Sequence, residues 1–206
     1  MRTRKFKRHH LLDRDLDERL QQIENLSFTA NWVPQTTFSI ATDILIQHQE
    51  RISISKEKPS FDHVYQLAIH IDKDLHFVHG DLCRKNFIFD GTQLWVVDWE
   101  PSLVQIKYGV QQFMATEPYI AMEDRKQHQL TRRTDVISFF FTVLGILYPN
   151  KILQNKAEWS RVRKIRCVSM TPISEEIMNQ MTFPELVVLA KESKNWIPRL
   201  ISGIEN

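Results

Sequence analysis

The order of helix and strand patterns along the chain predicts an α+β fold, with a small N-terminal sheet and a largely helical C-terminal half. Runs rich in β-branched and aromatic residues occur near the N-terminus, and two shorter runs flank an Asp-Gly pair, a strong signal for a hairpin turn. Apolar residues at helical spacing occur between these runs and in much of the remaining chain. The 206 residues fit one domain, or one domain divided into a small and a larger lobe.

The N-terminal elements are predicted in the order strand, helix, two strands. Thr3–His9 alternates basic and apolar residues, which predicts a short edge strand with Lys5 and Lys7 on one face. Asp13–Leu26 carries apolar residues at helical spacing after a potential capping aspartate, so we expect a helix there. Trp32–Gln49 is rich in β-branched and aromatic residues and predicts two strands joined by a turn.

The C-terminal elements begin after the polar, proline-containing break at Lys56–Ser60. Phe61–His76 has its apolar residues on one stripe and predicts a helix. Phe87–Phe89 and Leu94–Val97 predict the two strands of a hairpin. A connecting segment of roughly 30 residues follows, and so long a loop is usually functional. Beyond it we expect an apolar helix near Asp135–Leu147 and a largely helical tail.

Composition excludes several classes of protein. The 27 Lys+Arg and 25 Asp+Glu residues give a net charge of only +2, so charge does not indicate a nucleic-acid partner. Cys83 and Cys167 are too few for a disulfide framework or a four-cysteine zinc site, which favours a reducing compartment. No signal peptide is expected, and the apolar segment Val136–Pro149 is shorter than the ~20 residues of a membrane span. We therefore expect a cytoplasmic protein without a membrane segment.

The stretch FVHGDLCRKNFIFDGTQLWVVDWE, Phe77 to Glu100, places polar residues at regular intervals among apolar ones. Asn86 and Asp98 would supply two oxygen ligands from opposite sides of the predicted hairpin, and Mg²⁺ prefers such carboxylate and amide oxygens. Asp81, on the loop that enters the hairpin, can orient an incoming hydroxyl and accept its proton. This spacing predicts metal-assisted phosphoryl transfer, in which positioning and charge neutralisation supply most of the catalysis.

These residues resemble the protein-kinase-like fold, in which H-R-D-L-x-x-x-N forms the catalytic loop and D-F-G the metal-binding motif. HGDLCRKN and DWE correspond to them, and Ala115–Asp124 (ATEPYIAMED) resembles the end of a protein-kinase activation segment. Arg132–Leu147 resembles the start of the large buried helix of the kinase C-lobe, where Asp135 matches the aspartate that braces the catalytic loop by hydrogen bonds. Within this resemblance, His79 is expected to hold the loop backbone. The resemblance covers roughly Phe61–Pro149.

The resemblance implies a bilobal protein-kinase-like fold, with a reduced N-lobe sheet in residues 1–55 and a helical C-lobe in residues 56–206. The chain departs from the family in two places that matter. No glycine precedes Gly80, so the G-x-G-x-x-G loop that covers the phosphates is absent. Gly80 also replaces the arginine before the catalytic aspartate, which implies activity independent of activation-loop phosphorylation.

The family's nucleotide contacts can still be carried over to the N-terminal elements. Lys7 is expected to contact the α- and β-phosphates of ATP and Glu18 to position it, with Lys5 and Glu24 as competing choices. The segment Ile44–Gln49 would lie against adenine, which the family recognises mainly through backbone groups. This implies Gln47 and His48 as further nucleotide-binding residues.

The resemblance implies an atypical protein kinase that uses ATP and Mg²⁺ to phosphorylate a protein hydroxyl. Kinases this reduced resemble bacterial or phage proteins, including effectors delivered into the cytosol of a host cell. Two alternatives stay open: a phosphotransferase of the same fold that acts on a small molecule, and a pseudokinase that binds a partner. A small-molecule enzyme would need an acidic acceptor pocket, for which Glu175–Glu176, Glu185 and Glu192 are candidates. The acceptor residue type and the oligomeric state stay open.

Overall fold

The computed structural model describes residues 2–7, 14–41, 44–99, 124, 130–148 and 175–193, which form a mixed α+β fold of helices and two small antiparallel sheets. This confirms the predicted α+β class. Its elements are β1 (Arg2–Lys7), α1 (Arg14–Thr29), β2 (Thr36–Ala41), β3 (Ile44–Gln49), α2 (Phe61–Asp74), β4 (Phe87–Phe89), β5 (Leu94–Val96), α3 (Arg132–Leu147), α4 (Glu175–Gln180) and α5 (Phe183–Glu192). Most of the predicted activation segment, and the chain from residue 194 onwards, lie outside the described residues.

The N-terminal sheet has three antiparallel strands in the order β1-β3-β2. The predicted edge strand is confirmed as β1, and the predicted pair of strands as β2 and β3. In the register, Lys5 stands opposite Ile46 and Lys7 opposite Ile44. Strand β3 is central along its whole length, because β1 and β2 both pair with each residue from Ile44 to Gln49.

Helix α1 covers the free edge of β2. The Ser27 hydroxyl accepts the Thr36 N–H at 3.0 Å and donates to the Thr36 carbonyl at 3.1 Å. Two residues further along β2, the Glu24 carboxylate accepts the Phe38 N–H at 2.7 Å. These side chains satisfy backbone groups that would otherwise be open to another strand. The sequence therefore builds α1 and the sheet as one unit.

Trp32 joins this N-terminal unit to the rest of the chain. Its indole N–H donates to the Asp74 carboxylate at 3.0 Å, and its carbonyl accepts the Val96 N–H at 2.9 Å. The apolar stripe of α1 belongs to the same buried cluster as residues of α2, β5, α3 and α5. The two predicted lobes are thus in direct contact, while their boundary near residue 55 stays a prediction.

Helix α3 lies at the centre of the C-terminal part. Every residue from Thr134 to Gly145 is buried, as expected of a helix that is apolar on all sides. It begins at Arg132, as the resemblance implied and three residues before the start expected from the apolar pattern, and the Thr131 side chain caps it by accepting the Arg133 N–H at 3.1 Å. Across the part of the chain that the structure describes, no helix combines the length and apolar character that a membrane span requires.

Helix α5 packs against both α2 and α3, and α2 and α5 each begin with a capping box. Helix α2 is capped by Ser60, whose partner at the third position is His63 instead of the usual glutamate. It buries the predicted stripe and ends at Asp74, two residues earlier than predicted. At the start of α5, the Glu185 carboxylate accepts the N–H and hydroxyl of Thr182 at 2.7 and 2.8 Å. Glu185 is therefore a helix cap.

The predicted Asp-Gly hairpin is confirmed as β4 and β5, with Phe87 opposite Val96. Asp90 builds the turn, because its Oδ1 accepts the N–H groups of Thr92 and Gln93 at 2.7 and 2.9 Å. Gly91 has a φ of +106°, a conformation that side chains disfavour. These hydrogen bonds hold the pKa of the Asp90 carboxyl well below its usual value, although burial acts in the opposite direction.

Candidate functional site

Asp81 and Asn86 are brought into contact by the tight loop between them. The Cys83 N–H donates to the Asp81 carbonyl at 2.7 Å, and the Asn86 N–H donates to the Cys83 carbonyl at 2.9 Å. The Asn86 amide nitrogen then donates to the Asp81 carbonyl at 2.8 Å and to Asp81 Oδ2 at 3.0 Å. Both side chains are buried, with 4 % and 2 % exposure. The predicted pair is therefore one preorganised unit.

Asp98 lies two residues after the end of β5 and in the left-handed region of backbone space, with a φ of +73°. Among the described residues it is the one non-glycine with a positive φ. Such a conformation costs of order 1–3 kcal/mol and concentrates at functional sites. The preceding residue is tied to the loop that carries Asp81 and Asn86, because the Val97 N–H donates to the Asn86 carbonyl at 2.9 Å. The two predicted metal ligands thus lie on neighbouring, directly bonded segments.

The His79 ring joins the same two segments. Its Nδ1 accepts the Asp81 N–H at 3.2 Å, which leaves the proton on Nε2 to be donated to the Val97 carbonyl at 3.3 Å. Burial lowers the pKa of His79 to about 4, so the ring is neutral at pH 7, although Asp81 and Asp98 act to raise it. Trp99 packs on the ring with a centroid distance of 4.4 Å. The expected structural role of His79 is confirmed.

Helix α3 holds the loop that carries Asp81 in place through hydrogen bonds. Asp135 Oδ2 accepts the His79 N–H at 2.7 Å and Oδ1 accepts the Gly80 N–H at 2.8 Å, which confirms the predicted bracing role of this aspartate. About two helical turns later, the Thr142 hydroxyl donates to the Leu82 carbonyl at 2.9 Å. Burial raises the pKa of the Asp135 carboxyl to about 7, while the two N–H donors act to lower it.

The predicted activation segment ends on the same helix. Its last residue, Asp124, is buried, and its carboxylate accepts the N–H groups of Thr131 and Thr134 at 3.0 and 3.2 Å. The hydroxyl groups of the same two threonines donate to Asp124 Oδ2 as well. Four donors on one carboxylate at a helix N-terminus fix the point where the chain returns to α3.

Lys85 extends the site toward solvent and was not among the site residues predicted from the sequence. Its Nζ lies 3.2 Å from Asp81 Oδ2, although 62 % of the side chain is exposed. Burial acts to lower the pKa of Lys85, but the charge of Asp81 and its other neighbours outweighs burial and the net shift is upward. The spacing of four residues between Asp81 and Lys85 was the available signal.

Arg19 of α1 was also missed. Its guanidinium lies 4.7 Å from the centre of the Phe77 ring, just before the catalytic loop. Desolvation lowers the pKa of Arg19, and attraction by Asp135 acts in the opposite direction. No helical periodicity or motif could place this arginine beside the loop, because the contact joins residues far apart in sequence.

The predicted phosphate-anchoring pair is less well defined. Strand β1 carries Lys5 and Lys7, whose side chains lie outside the described part of the structure. Glu18 lies on α1 with its side chain exposed, whereas the Glu24 carboxylate is occupied by the Phe38 N–H at 2.7 Å. The roles of all four residues stay predictions.

Gln47 and His48 lie on β3, where neighbouring strands occupy both sides of the backbone. Recognition of adenine through the backbone of Ile44–Gln49 does not fit a central strand, because its N–H and C=O groups face β1 and β2. Any nucleotide contact would use side chains. His48 Nε2 shares a hydrogen bond of 3.0 Å with the Ser39 hydroxyl, and Gln47 is buried with an unpartnered Oε1. Their nucleotide-binding role stays a prediction.

The donor set fits a magnesium ion that arrives with phosphate. No three acidic, histidine or cysteine side chains converge into a metal site within the described residues. Mg²⁺ is commonly held by one or two protein oxygens together with substrate phosphates and water. Asn86 uses its nitrogen for Asp81, which leaves its Oδ1 as the oxygen that can coordinate, and Asp98 adds a carboxylate.

Comparison with known protein families and with curated proteins finds no relative of this chain. No model of a known protein family matches the sequence, and no curated protein shows significant similarity to it. The function is therefore inferred from the residues and their geometry.

Proposed function

We propose that the protein is a reduced protein kinase that transfers the γ-phosphoryl group of ATP to a hydroxyl group of a protein substrate and requires Mg²⁺. The residues proposed to carry the reaction are Asp81, Asn86 and Asp98. Lys7 is proposed to contact the α- and β-phosphates, and Glu18 to position it, with Lys5 and Glu24 as the alternatives. The proposed bacterial or phage origin rests on the sequence resemblance, and the proposed cytoplasmic location rests on the low cysteine content and the lack of an expected signal peptide.

The observation that supports the proposal is that hydrogen bonds hold Asp81 and Asn86 together and also hold the segment before Asp98 against the same loop. Asn86 bonds the Asp81 side chain, while Val97 and the His79 ring hold the Asp98 segment against the same loop. A buried carboxylate that accepts an amide N–H, with a second carboxylate on a strained residue of the neighbouring segment, is a costly arrangement for a scaffold. Metal-assisted phosphoryl transfer gives each of these groups a role.

In the proposed mechanism, the acceptor hydroxyl lies against the Asp81 carboxylate, which takes its proton as the new bond to phosphorus forms. The bond between the γ-phosphorus and the bridging oxygen breaks, and ADP leaves with that oxygen. Bound Mg²⁺ would neutralise charge on the phosphates, with Asn86 and Asp98 as its protein ligands. The Lys85 ammonium, 3.2 Å from Asp81, favours the ionised carboxylate that a base requires.

Two findings favour a protein acceptor over a small molecule. Asp124, the last residue of the predicted activation segment, is bonded to the start of α3, and the family resemblance of that region is to protein kinases. Among the acidic residues suggested for a small-molecule acceptor pocket, Glu185 is a helix cap.

The proposal is tested by measuring phosphate transfer from radiolabelled ATP to three kinds of acceptor. The acceptors are the protein itself, a panel of protein substrates, and a panel of sugars and aminoglycosides. We expect Mg²⁺-dependent labelling of protein, and Asp98→Asn should reduce it by roughly 10²–10³-fold, the range for loss of one charge-stabilising group. Asp62→Asn, on the exposed face of α2, is the matched control and should retain wild-type activity. Undiminished labelling in Asp98→Asn would refute the metal role, and labelling of small molecules alone would replace the protein acceptor.

A further inference from the structure

A small pocket opens between the β4–β5 hairpin and the C-terminal end of α3. It has a volume of about 110 Å³. Most of its lining residues are apolar: Phe89 and Leu94 are buried, and Phe87, Ile146 and Pro59 are half-buried. Arg84 is half-buried and Lys58 is exposed, and both line the same pocket, so its lining is mixed. Apolar side chains thus meet two cationic side chains.

The size of the pocket limits its occupant. Sites for small molecules and cofactors usually measure ≈ 300–1,000 Å³, so about 110 Å³ is too little for a nucleotide or sugar. A space of this size suits one aliphatic side chain. This favours a peptide that inserts a single residue.

The charges of the residues that line the pocket indicate which residues would flank the aliphatic residue of that peptide. Among the described residues that line the pocket none is acidic, whereas Lys58 and Arg84 are both cationic. Arg84 is held in place, because its Nη1 donates to the Gly145 carbonyl at 3.3 Å in the last turn of α3. An acidic segment would therefore meet the held guanidinium of Arg84 and the exposed ammonium of Lys58.

The pocket lies next to the catalytic loop in the chain. Arg84 comes three residues after Asp81, so their Cα atoms are separated by at most roughly 11 Å. The other wall is anchored to the hairpin, since the Ser55 N–H donates to the Phe89 carbonyl at 2.8 Å, three residues before Lys58. A bound peptide would need only a few residues to reach Asp81.

We propose that this pocket docks the protein substrate through an acidic segment that carries one aliphatic anchor. The inference rests on the proposed kinase function for the statement that the bound peptide belongs to the substrate. Docking itself requires neither ATP nor Mg²⁺, because none of the lining residues belongs to the proposed catalytic group. Binding and catalysis are therefore measured separately.

The test uses fluorescence anisotropy with a fluorescein-labelled heptapeptide, Glu-Asp-Glu-Leu-Glu-Asp-Glu, titrated with the protein in the absence of nucleotide. Two control peptides replace the central leucine by serine or all acidic residues by glutamine. We expect saturable binding of the first peptide below about 1 mM, at least tenfold weaker binding of both controls, and a loss of affinity with added salt. Equal binding of the leucine and serine peptides, or no binding at all, overturns the proposal.

Paired variants locate the site. Lys58→Glu should weaken binding of the acidic peptide at least tenfold, whereas Lys56→Glu, an exposed lysine two residues away that does not line the pocket, should change it less than twofold. Equal effects of the two variants would show a general response to charge and overturn the pocket. Self-association that Lys58→Glu abolishes, without peptide binding, would assign the pocket to a second copy of the chain and also overturn the proposal.

Asp98→Asn separates this inference from the proposed function. That variant should bind the acidic peptide as the wild type does while losing phosphotransfer. If the wild type binds the peptide but transfers no phosphate to any protein, the kinase function fails and a peptide-binding pocket remains. If it transfers phosphate but does not bind the peptide, the docking pocket fails and the kinase function stands.

Discussion

The catalytic-loop region and the N-terminal sheet differ in how firmly each holds its proposed functional groups. In the first region, Asp81, Asn86 and the segment before Asp98 are tied together by buried hydrogen bonds, and α3 fixes the loop through Asp135. In the second, Glu18 is exposed and the Glu24 carboxylate is used to hold α1 against β2. The proposed acid–base and metal chemistry is thus built into the fold, whereas the phosphate anchor is not fixed by any described side-chain contact.

The largest expected effect is on the bracing of the catalytic loop. Asp135→Ala leaves the N–H groups of His79 and Gly80 buried without an acceptor, and each such group costs ≈ 1–3 kcal/mol. We expect the free energy of unfolding, measured by urea denaturation, to fall by about 2–6 kcal/mol. Asp62→Ala on α2 serves as an exposed control. A loss below about 1 kcal/mol in Asp135→Ala would show that the loop does not depend on this brace.

The next prediction concerns the N-terminal sheet and decides whether Lys5 or Lys7 contacts the phosphates of ATP. If Lys7 is the phosphate anchor, Lys7→Met should lower kcat/KM for ATP by roughly 10²–10³-fold, because a charge that stabilises the phosphates is lost. Lys5→Met should then change it by less than about tenfold. The reverse ranking would make Lys5 the anchor, and two small effects would remove β1 from the nucleotide site.

The pH dependence of stability tests the buried neutral histidine. His79 has a pKa of about 4 in the folded protein, against its usual 6.5, so between these values the unfolded chain binds a proton that the folded protein does not. The stabilisation is present above pH 6.5 and is lost as pH falls toward 4, by up to about 1.4 kcal/mol per pH unit.

Asp135 changes the free energy of unfolding in the opposite direction. Its pKa in the folded protein is about 7, above the usual 3.8, so its protonation favours the folded protein as pH falls. The comparison that isolates His79 is therefore the difference in unfolding free energy between wild type and His79→Asn at each pH. We expect this difference to shrink as pH falls from 6.5 to 4. A constant difference would mean that His79 titrates normally in the folded protein.

The smallest expected effect lies at the edge of the N-terminal sheet. Glu24→Gln keeps an acceptor for the Phe38 N–H but removes its charge, so the free energy of unfolding should fall by about 1 kcal/mol. Gln21→Glu on the exposed face of α1 is a control for general charge effects. If Glu24→Gln also abolished phosphotransfer, Glu24 would replace Glu18 as the partner of the anchoring lysine.

The sequence allowed prediction of the elements whose signals are local. The Asp-Gly turn, the stripe of α2 and the spacing of Asp81 and Asn86 each fix their own geometry within a few residues. The bracing by Asp135 followed from the family resemblance. Lys85 could have been placed by its four-residue spacing from Asp81.

Contacts between distant segments could not be predicted in this way. Arg19 reaches Phe77, and the Glu24 carboxylate meets the Phe38 N–H, only because α1 packs in one particular place. Local sequence patterns likewise do not determine strand order, and the central position of β3 became visible only in the structure. This is why the expected backbone contact of Ile44–Gln49 with adenine did not fit.

Isothermal titration of ATP, with and without Mg²⁺, into the wild type and Asp98→Asn tests the central claim most directly. We expect Mg²⁺ to strengthen ATP binding to the wild type at least tenfold and to have less than a twofold effect in Asp98→Asn. Equal strengthening by Mg²⁺ in both proteins would contradict a metal site built from Asn86 and Asp98.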